Sequence, residues 1–183
     1  TASDKIYDGN TTAAATLTFT GLVGDETLGQ TVGATFADKN VNTGITVTVN
    51  SITLSDGDNG GFTDNYSIAT GQTTTANITP KALTISGIVA INKTYDGTVS
   101  ATTDDSGATF TGLVTVDGVA DDVTVSSTGT FDNKNVGVGK VVTLVETTGG
   151  DDVGNYSITN QGTTTADVTA APLTISGITA SDK

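Results

Sequence analysis

Apolar and polar residues alternate along this chain with a period of two, in short stretches set apart by Gly, Asp and Asn. "TLTFTGL" at 16–22 sets Leu17, Phe19 and Leu22 among threonines, and "GITVTVNSITL" at 44–54 alternates Ile45, Val47 and Val49 with Thr before Ile52 and Leu54 resume out of phase. "NYSIA" at 65–69, "TTTANIT" at 73–79 and "ALTISGI" at 82–88 alternate likewise. This period predicts half-buried strands. Many short strands at such spacing predict an all-β fold, an Ig-like or Greek-key sandwich. A single helical turn is expected only in "GDETLGQ" at 24–30 and "DGVADDV" at 117–123. The phenylalanines at 19, 36, 62, 110 and 131 are expected in the core.

The pattern occurs twice. Tyr7 returns as Tyr95, "FTGLV" at 19–23 as 110–114, "FADKNV" at 36–41 as "FDNKNV" at 131–136, and "DNYSI" at 64–68 as "GNYSI" at 154–158. "TTTANIT" returns as "TTTADVT" at 163–169 and "LTISGI" at 83–88 as 173–178. The order is kept, so the chain is a tandem array of modules of about 90 residues: residues 1–90 and 91–183, with a strand at 83–91 expected at the junction. The second copy is four residues longer between "FTGLV" and "KNV" and five shorter between "KNV" and "NYSI", which predicts surface loops there. "ITASDK" at 178–183 repeats the opening "TASDK", so a third copy is expected to begin there and the chain to be part of a longer polypeptide. No Gly/Ser-rich or Pro-rich spacer separates the copies. One strand is expected to leave one module and enter the next, making a stiff end-to-end rod.

Composition narrows the chemistry. Forty residues are Thr and 23 are Gly, which suits strands and turns. With no His and no Cys, the chain lacks the usual zinc and haem ligands, and a Ser-His-Asp or Cys-His site cannot be built. A net charge of −13, with seven lysines and no arginine, argues against nucleic acid and against anionic lipid as partners. No apolar run approaches the length needed to span a membrane.

The ordered set "KxYDG", "F-x-x-KNV-x-x-G", "NYSI", "TTTAxIT" and "LTISG" resembles the YDG/MBG repeat family, found in tandem in bacterial surface proteins that include filamentous-haemagglutinin-like adhesins. The resemblance covers both copies. "GIT" at 44–46 departs from the usual "GK", present at Gly139-Lys140, and "TAAP" at 169–172 replaces "TPK". What the resemblance implies is secretion, display at the bacterial cell surface and a spacer or stalk role in cell adhesion or biofilm formation, with no catalytic activity.

Each candidate site has a structural and a functional reading. Tyr7-Asp8-Gly9 and Tyr95-Asp96-Gly97 read as turns with a tyrosine anchor, since Asp-Gly favours positive φ. Asn65-Tyr66 and Asn155-Tyr156 read as strand starts whose rings plug one end of a sandwich; ligand stacking on them is the other reading. Asp56, Asp58, Asn59 and Asp64 in "SDGDNGGFTDN" offer hard oxygen ligands for calcium, without the full spacing of an EF-hand loop. Their counterpart keeps only Asp151 and Asp152, and "TDDSG" at 103–107 is weaker still. Lys39 and Lys134 of "KNV" raise an isopeptide cross-link, against which stands a solvated Lys beside a turn Asn. Thr-x-Thr faces raise ice binding, but the pairs are scattered. The expected function is therefore a spacer whose partners are neighbouring repeats. The alternative is a module that itself holds an extracellular polysaccharide or a host or cell surface, with calcium assisting. A glycosidase would need a facing carboxylate pair.

Overall fold

The computed structural model describes residues 1–181. Asp182 and Lys183, the last residues of the segment expected to open a third copy, lie outside the described residues. The fold is all-β, as two tandem modules require, with two one-turn 3-10 helices. It packs as two compact units. One holds Thr1–Leu83, Gly112–Asp122 and Asp151–Ser157; the other holds Thr84–Thr111, Val123–Gly150 and the chain from Ile158 onward.

In the first unit, strands β1 (Lys5–Ile6), β2 (Thr12–Ala13), β3 (Leu28–Phe36), β4 (Asn42–Asp56) and β5 (Thr73–Thr79) form one sheet in the order β1-β5-β4-β3-β2. β1 runs parallel to β5 and every other pair is antiparallel. Residues 1–3 also meet 14–16 through an Ala2–Ala15 bridge, with the Ser3 N–H donating to the Ala14 carbonyl at 3.0 Å. Alternate residues Ile45, Val47 and Val49 point inward and are buried with Phe36, Ala76 and Ile78, as the period-two pattern requires. Full burial of each Val or Ile contributes about 1.5–3 kcal/mol.

The phase shift after Val49 has a physical cause. Ala34 pairs with Val49, yet Gly33 pairs with Ser51, so Asn50 is an extra residue in the ladder. That is a β-bulge, which turns the following side chains over. The Asn50 amide donates to the Thr35 hydroxyl at 2.8 Å. A second register shift lies between Asn42 and Ile45, where Gly44 has φ +65° and its N–H donates to Asn77 Oδ1 at 2.8 Å.

The strand β6 (Lys81–Ser86) follows, then β7 (Val89–Ala90), β8 (Lys93–Thr94), β9 (Ser100–Ala101), β10 (Thr103–Asp104), β11 (Thr109–Thr111), β12 (Thr115–Val116), β13 (Val119–Ala120), β14 (Thr124–Phe131), β15 (Gly137–Gly149), β16 (Tyr156–Thr159) and β17 (Thr163–Thr169). The second unit repeats the large sheet in the order β8-β17-β15-β14-β9, again with one parallel pair, β8 with β17. The bulge before Lys140 recurs, with Gly139 at φ +61° bonded to Asp167 Oδ1 at 2.7 Å. β10 pairs with β7, and Thr84–Ser86 of β6 pairs antiparallel with β11. Ile85 and Ile88 are each 1% exposed in a core with Phe131, Val142, Leu144 and Val168. The Gln161 side chain clamps Ile88, accepting from its N–H at 2.9 Å and donating to its carbonyl at 2.7 Å.

Several expectations need correction. "TLTFTGL" at 16–22 and "NYSIA" at 65–69 form no strand, although their counterparts supply β11 and β16. "LTISGI" at 173–178 forms no strand either, although 81–86 does. Alternation marks strand competence, but a strand also needs a hydrogen-bonded neighbour, and these three segments lie outside every ladder. The helical turns are at Thr63–Asn65 and Val153–Asn155, not at 24–30 or 117–123. Asp117-Gly118, with φ +52° and +82°, is the two-residue turn joining β12 to β13. The extra residues of the second copy thus include a hairpin. Phe62 is exposed, because it caps a 3-10 turn instead of lying in a sheet.

Candidate functional site

The "KxYDG" motif folds the same way in both copies. The β1 lysine, Lys5, turns its ammonium inward. It donates to Asp8 Oδ1 at 2.6 Å, to the Asn10 carbonyl at 2.6 Å and to the Thr12 carbonyl at 3.1 Å. It also lies 5.4 Å from the centroid of the Phe36 ring. Lys93 repeats the set with Asp96 at 2.9 Å, the Thr98 carbonyl at 3.0 Å, the Ser100 carbonyl at 2.8 Å and the Phe131 ring at 5.4 Å. An ammonium that satisfies its three donors on carbonyls and a carboxylate, over an aromatic face, pins one end of the module. The Asp accepts from the amide two residues on, Asn10 in one copy and Thr98 in the other, the geometry of an Asx turn. Gly9 and Gly97 follow at φ +78° and +81°. Burial works to raise the Asp8 pKa, but the Lys5 ammonium and the Asn10 amide outweigh it and hold the carboxyl below its ordinary value. The Lys93 ammonium, then the Thr98 amide and hydroxyl, hold Asp96 at about 2.

The tyrosines of the two motifs differ. Tyr7 is 1% exposed and Tyr95 37%. The first unit contains segments of both repeats, and Tyr7 meets Tyr156 edge-on, centroids 5.6 Å apart. The Tyr156 hydroxyl donates to Asp121 Oδ2 at 2.5 Å and accepts from the Val114 N–H at 2.9 Å. The Tyr7 hydroxyl is buried without a hydrogen-bond partner. Burial first, then the Asp121 carboxylate, push the pKa of both phenols up. Beside them Asn155, 5% exposed, accepts from the Val41 N–H at 2.9 Å and donates to Asn40 Oδ1 at 3.1 Å. Asn65 is exposed. Tyr66 is half-buried, its hydroxyl donating to Glu26 and accepting from the Val23 N–H at 3.0 Å. The Glu26 carboxylate raises the Tyr66 pKa.

The acidic loop is knit into a turn. Asp56 Oδ1 accepts from the Thr63 N–H at 2.8 Å, the Asp58 N–H donates to Thr27 Oγ1 at 2.7 Å, and the Asn59 amide donates to the Asp25 carbonyl at 2.8 Å. Asp64 lies in the 3-10 turn beside it. Among the described residues no group of three or more acidic side chains converges at metal-binding distance. Lys39 pairs with Asp152 at 3.7 Å and Lys134 is exposed.

Sequence reasoning named the Tyr, Asp and Gly of each motif but not Lys5 or Lys93, although the repeated Lys-x-Tyr-Asp-Gly spacing carried that signal. It also did not foresee that Asn155 and Tyr156 would be buried while Asn65 and Tyr66 are not, since the two copies spell the motif alike.

Among known proteins, no curated protein and no solved structure matches this chain. The model of the YDG domain matches it twice, over residues 1–76 and 79–166, and the chain belongs to the YDG domain family.

Proposed function

We propose that the two modules are a structural spacer in a secreted bacterial surface adhesin, and that they carry no catalysis of their own. The observation that supports this reading is the composite make-up of the first unit. Its core holds Tyr7 of one repeat and Val114, Asn155 and Tyr156 of the next. A spacer must resist hinging between repeats, and buried aromatic and amide groups resist it better than a free linker does. The lysine-pinned turns fit the same role, because they fix the backbone at the start of each motif. The charge of −13 favours solubility and mutual repulsion of neighbouring molecules.

The test is replacement in the protein that carries these modules. Exchange for unrelated rigid β modules of equal length should preserve adhesion, and deletion without replacement should reduce it. Loss of adhesion on length-preserving exchange would instead assign the binding to the modules themselves.

A further inference from the structure

The second unit carries a lysine where the first carries core. Lys140 pairs with Ala166 in β15, and Ile45, 8% exposed, pairs with Ala76 at the same register position of β4. The lysine stem thus takes the place of a buried aliphatic side chain, and its side chain is 9% exposed. Gly137 makes room for it: a Cβ there would stand 3.1 Å from Lys140 Cδ and 3.2 Å from Cγ.

The ammonium of this stem ends on a carboxamide and an acid. It donates to Asn133 Oδ1 at 2.8 Å and lies 2.9 Å from Asp132 Oδ1. The acid also holds the amide: Asn133 Nδ2 donates to Asp132 Oδ2 at 3.1 Å. The Asn135 N–H donates to Asn133 Oδ1 at 3.0 Å, so a backbone donor already faces the carbonyl oxygen. Lys5 and Lys93, by contrast, spend donors on backbone carbonyls, which offer no leaving group. The first copy has Ala37, Asp38 and Ile45 where the second has Asp132, Asn133 and Lys140, so the set belongs to the second copy alone.

We propose that Lys140 and Asn133 become joined by an isopeptide bond, made by the folded chain itself with Asp132 as proton carrier. In the resting ion pair Lys140 holds the proton. Its transfer to Asp132 leaves a neutral amine, the form that can attack. Nζ then bonds to Asn133 Cγ, the carbon next to the oxygen that it already touches. The Asn135 N–H stabilises the charge that develops on Oδ1. Asp132 passes its proton to Nδ2, which faces its second oxygen. The Cγ–Nδ2 bond breaks and ammonia leaves; it takes up the second proton that Lys140 gives up, and Asp132 ends as a carboxylate. Nothing is oxidised or reduced. Asp132 is 51% exposed, which gives the ammonia a way out. Holding amine and amide in contact replaces a bimolecular encounter with an intramolecular step. The event happens once per chain and turns over no substrate. It ties the turn between β14 and β15 shut, and it stands whether or not the modules are a spacer.

The test is the mass of the purified full chain, followed over time at neutral pH. The mass should fall to one ammonia below the value that the sequence gives. Trypsin does not cut at a lysine whose amine is acylated. The peptide ending at Lys134 should therefore stay joined to the one beginning at Asn135, as a branched product one ammonia lighter than their sum. Lys140→Arg keeps the charge without the attacking amine, and should keep its full mass and release the two peptides separately. Asp132→Ala leaves both reacting groups in place and should slow the reaction about a hundredfold or more. A parent chain that stays at full mass with unlinked peptides would overturn the proposal. So would equal ammonia loss in Lys140→Arg, or cross-linking of Asp132→Ala at the parental rate.

Discussion

The ring of Tyr7 meets that of Tyr156 edge to face, with centroids 5.6 Å apart and planes at 77°. One comes from the first repeat and the other from the second, and both belong to one packed unit. The positive edge of one ring against the negative face of the other adds about 0.5–1.5 kcal/mol to the area they bury. Tyr156→Ala should therefore destabilise the chain by about 3–5 kcal/mol, the range for removal of a large buried aromatic. Tyr156→Phe should cost about 1 kcal/mol or somewhat more, because it keeps the packing and leaves the Val114 N–H without its acceptor. Urea unfolding of both variants checks this, and equal losses would assign the effect to the hydroxyl alone.

Asn155 and Asn65 occupy the same motif position but different surroundings. Asn155 accepts from Val41 and donates to Asn40 in a buried site, whereas Asn65 is exposed. Asn155→Ala should cost about 1–3 kcal/mol through the orphaned Val41 amide. Asn65→Ala should stay within about 0.5 kcal/mol of the parent. The comparison is made by chemical denaturation of the two single variants side by side; similar losses would contradict the assignment.

The two motif glycines should separate in the same way. Gly9 and Gly97 share a positive φ, so an alanine at either pays a left-handed penalty of about 1–2 kcal/mol. A Cβ on Gly9 would also stand 2.6 Å from Val116 Cγ2 and 2.9 Å from Val114 Cγ1, while one on Gly97 meets nothing within 4 Å. Gly9→Ala should therefore be the more destabilising by about 1 kcal/mol or more, read as a larger drop in midpoint. A Gly97→Ala variant that loses as much would show that backbone strain alone sets the effect.

Much of this fold was legible because the repeat wrote it twice. Ile45, Val47 and Val49 announce an inward face, and the phase slip to Ile52 marks the bulge at Asn50. Asp-Gly marks a turn at Asp8-Gly9, but at Asp117-Gly118, where a single helical turn was expected, it closes a hairpin. What alternation does not encode is the neighbour. "LTISGI" reads the same at 83 and at 173, yet only the first copy lies in a ladder. The YDG tyrosines likewise read the same, and only the segment packed on Tyr7 makes the two differ. Lys5 escaped notice because its role is to satisfy carbonyls from Asn10 and Thr12, contacts that a linear pattern does not display.

The buried phenols give the chain an alkaline limit. The pKa of Tyr7 and of Tyr156 is raised above the ordinary 10.0, by burial first and then by Asp121. For an acid with a raised folded-state value, the native chain keeps its proton where the unfolded chain has lost it. Above pH 10 the unfolded state binds fewer protons, so stability falls as pH rises. The stabilisation linked to these protons is thus fully present below 10.0 and is lost progressively above it. Tyr156→Phe removes one of the two groups and should make that decline shallower, even though the variant starts lower at neutral pH. The measurement is urea unfolding at a series of pH values from neutral upward, with phenolate absorbance followed in parallel. In the parent chain, ionisation of Tyr7 and Tyr156 should accompany loss of far-ultraviolet circular dichroism. Ionisation of both at pH 10 in a chain that keeps its β signal would show that neither phenol is sealed by the Tyr7–Tyr156 contact.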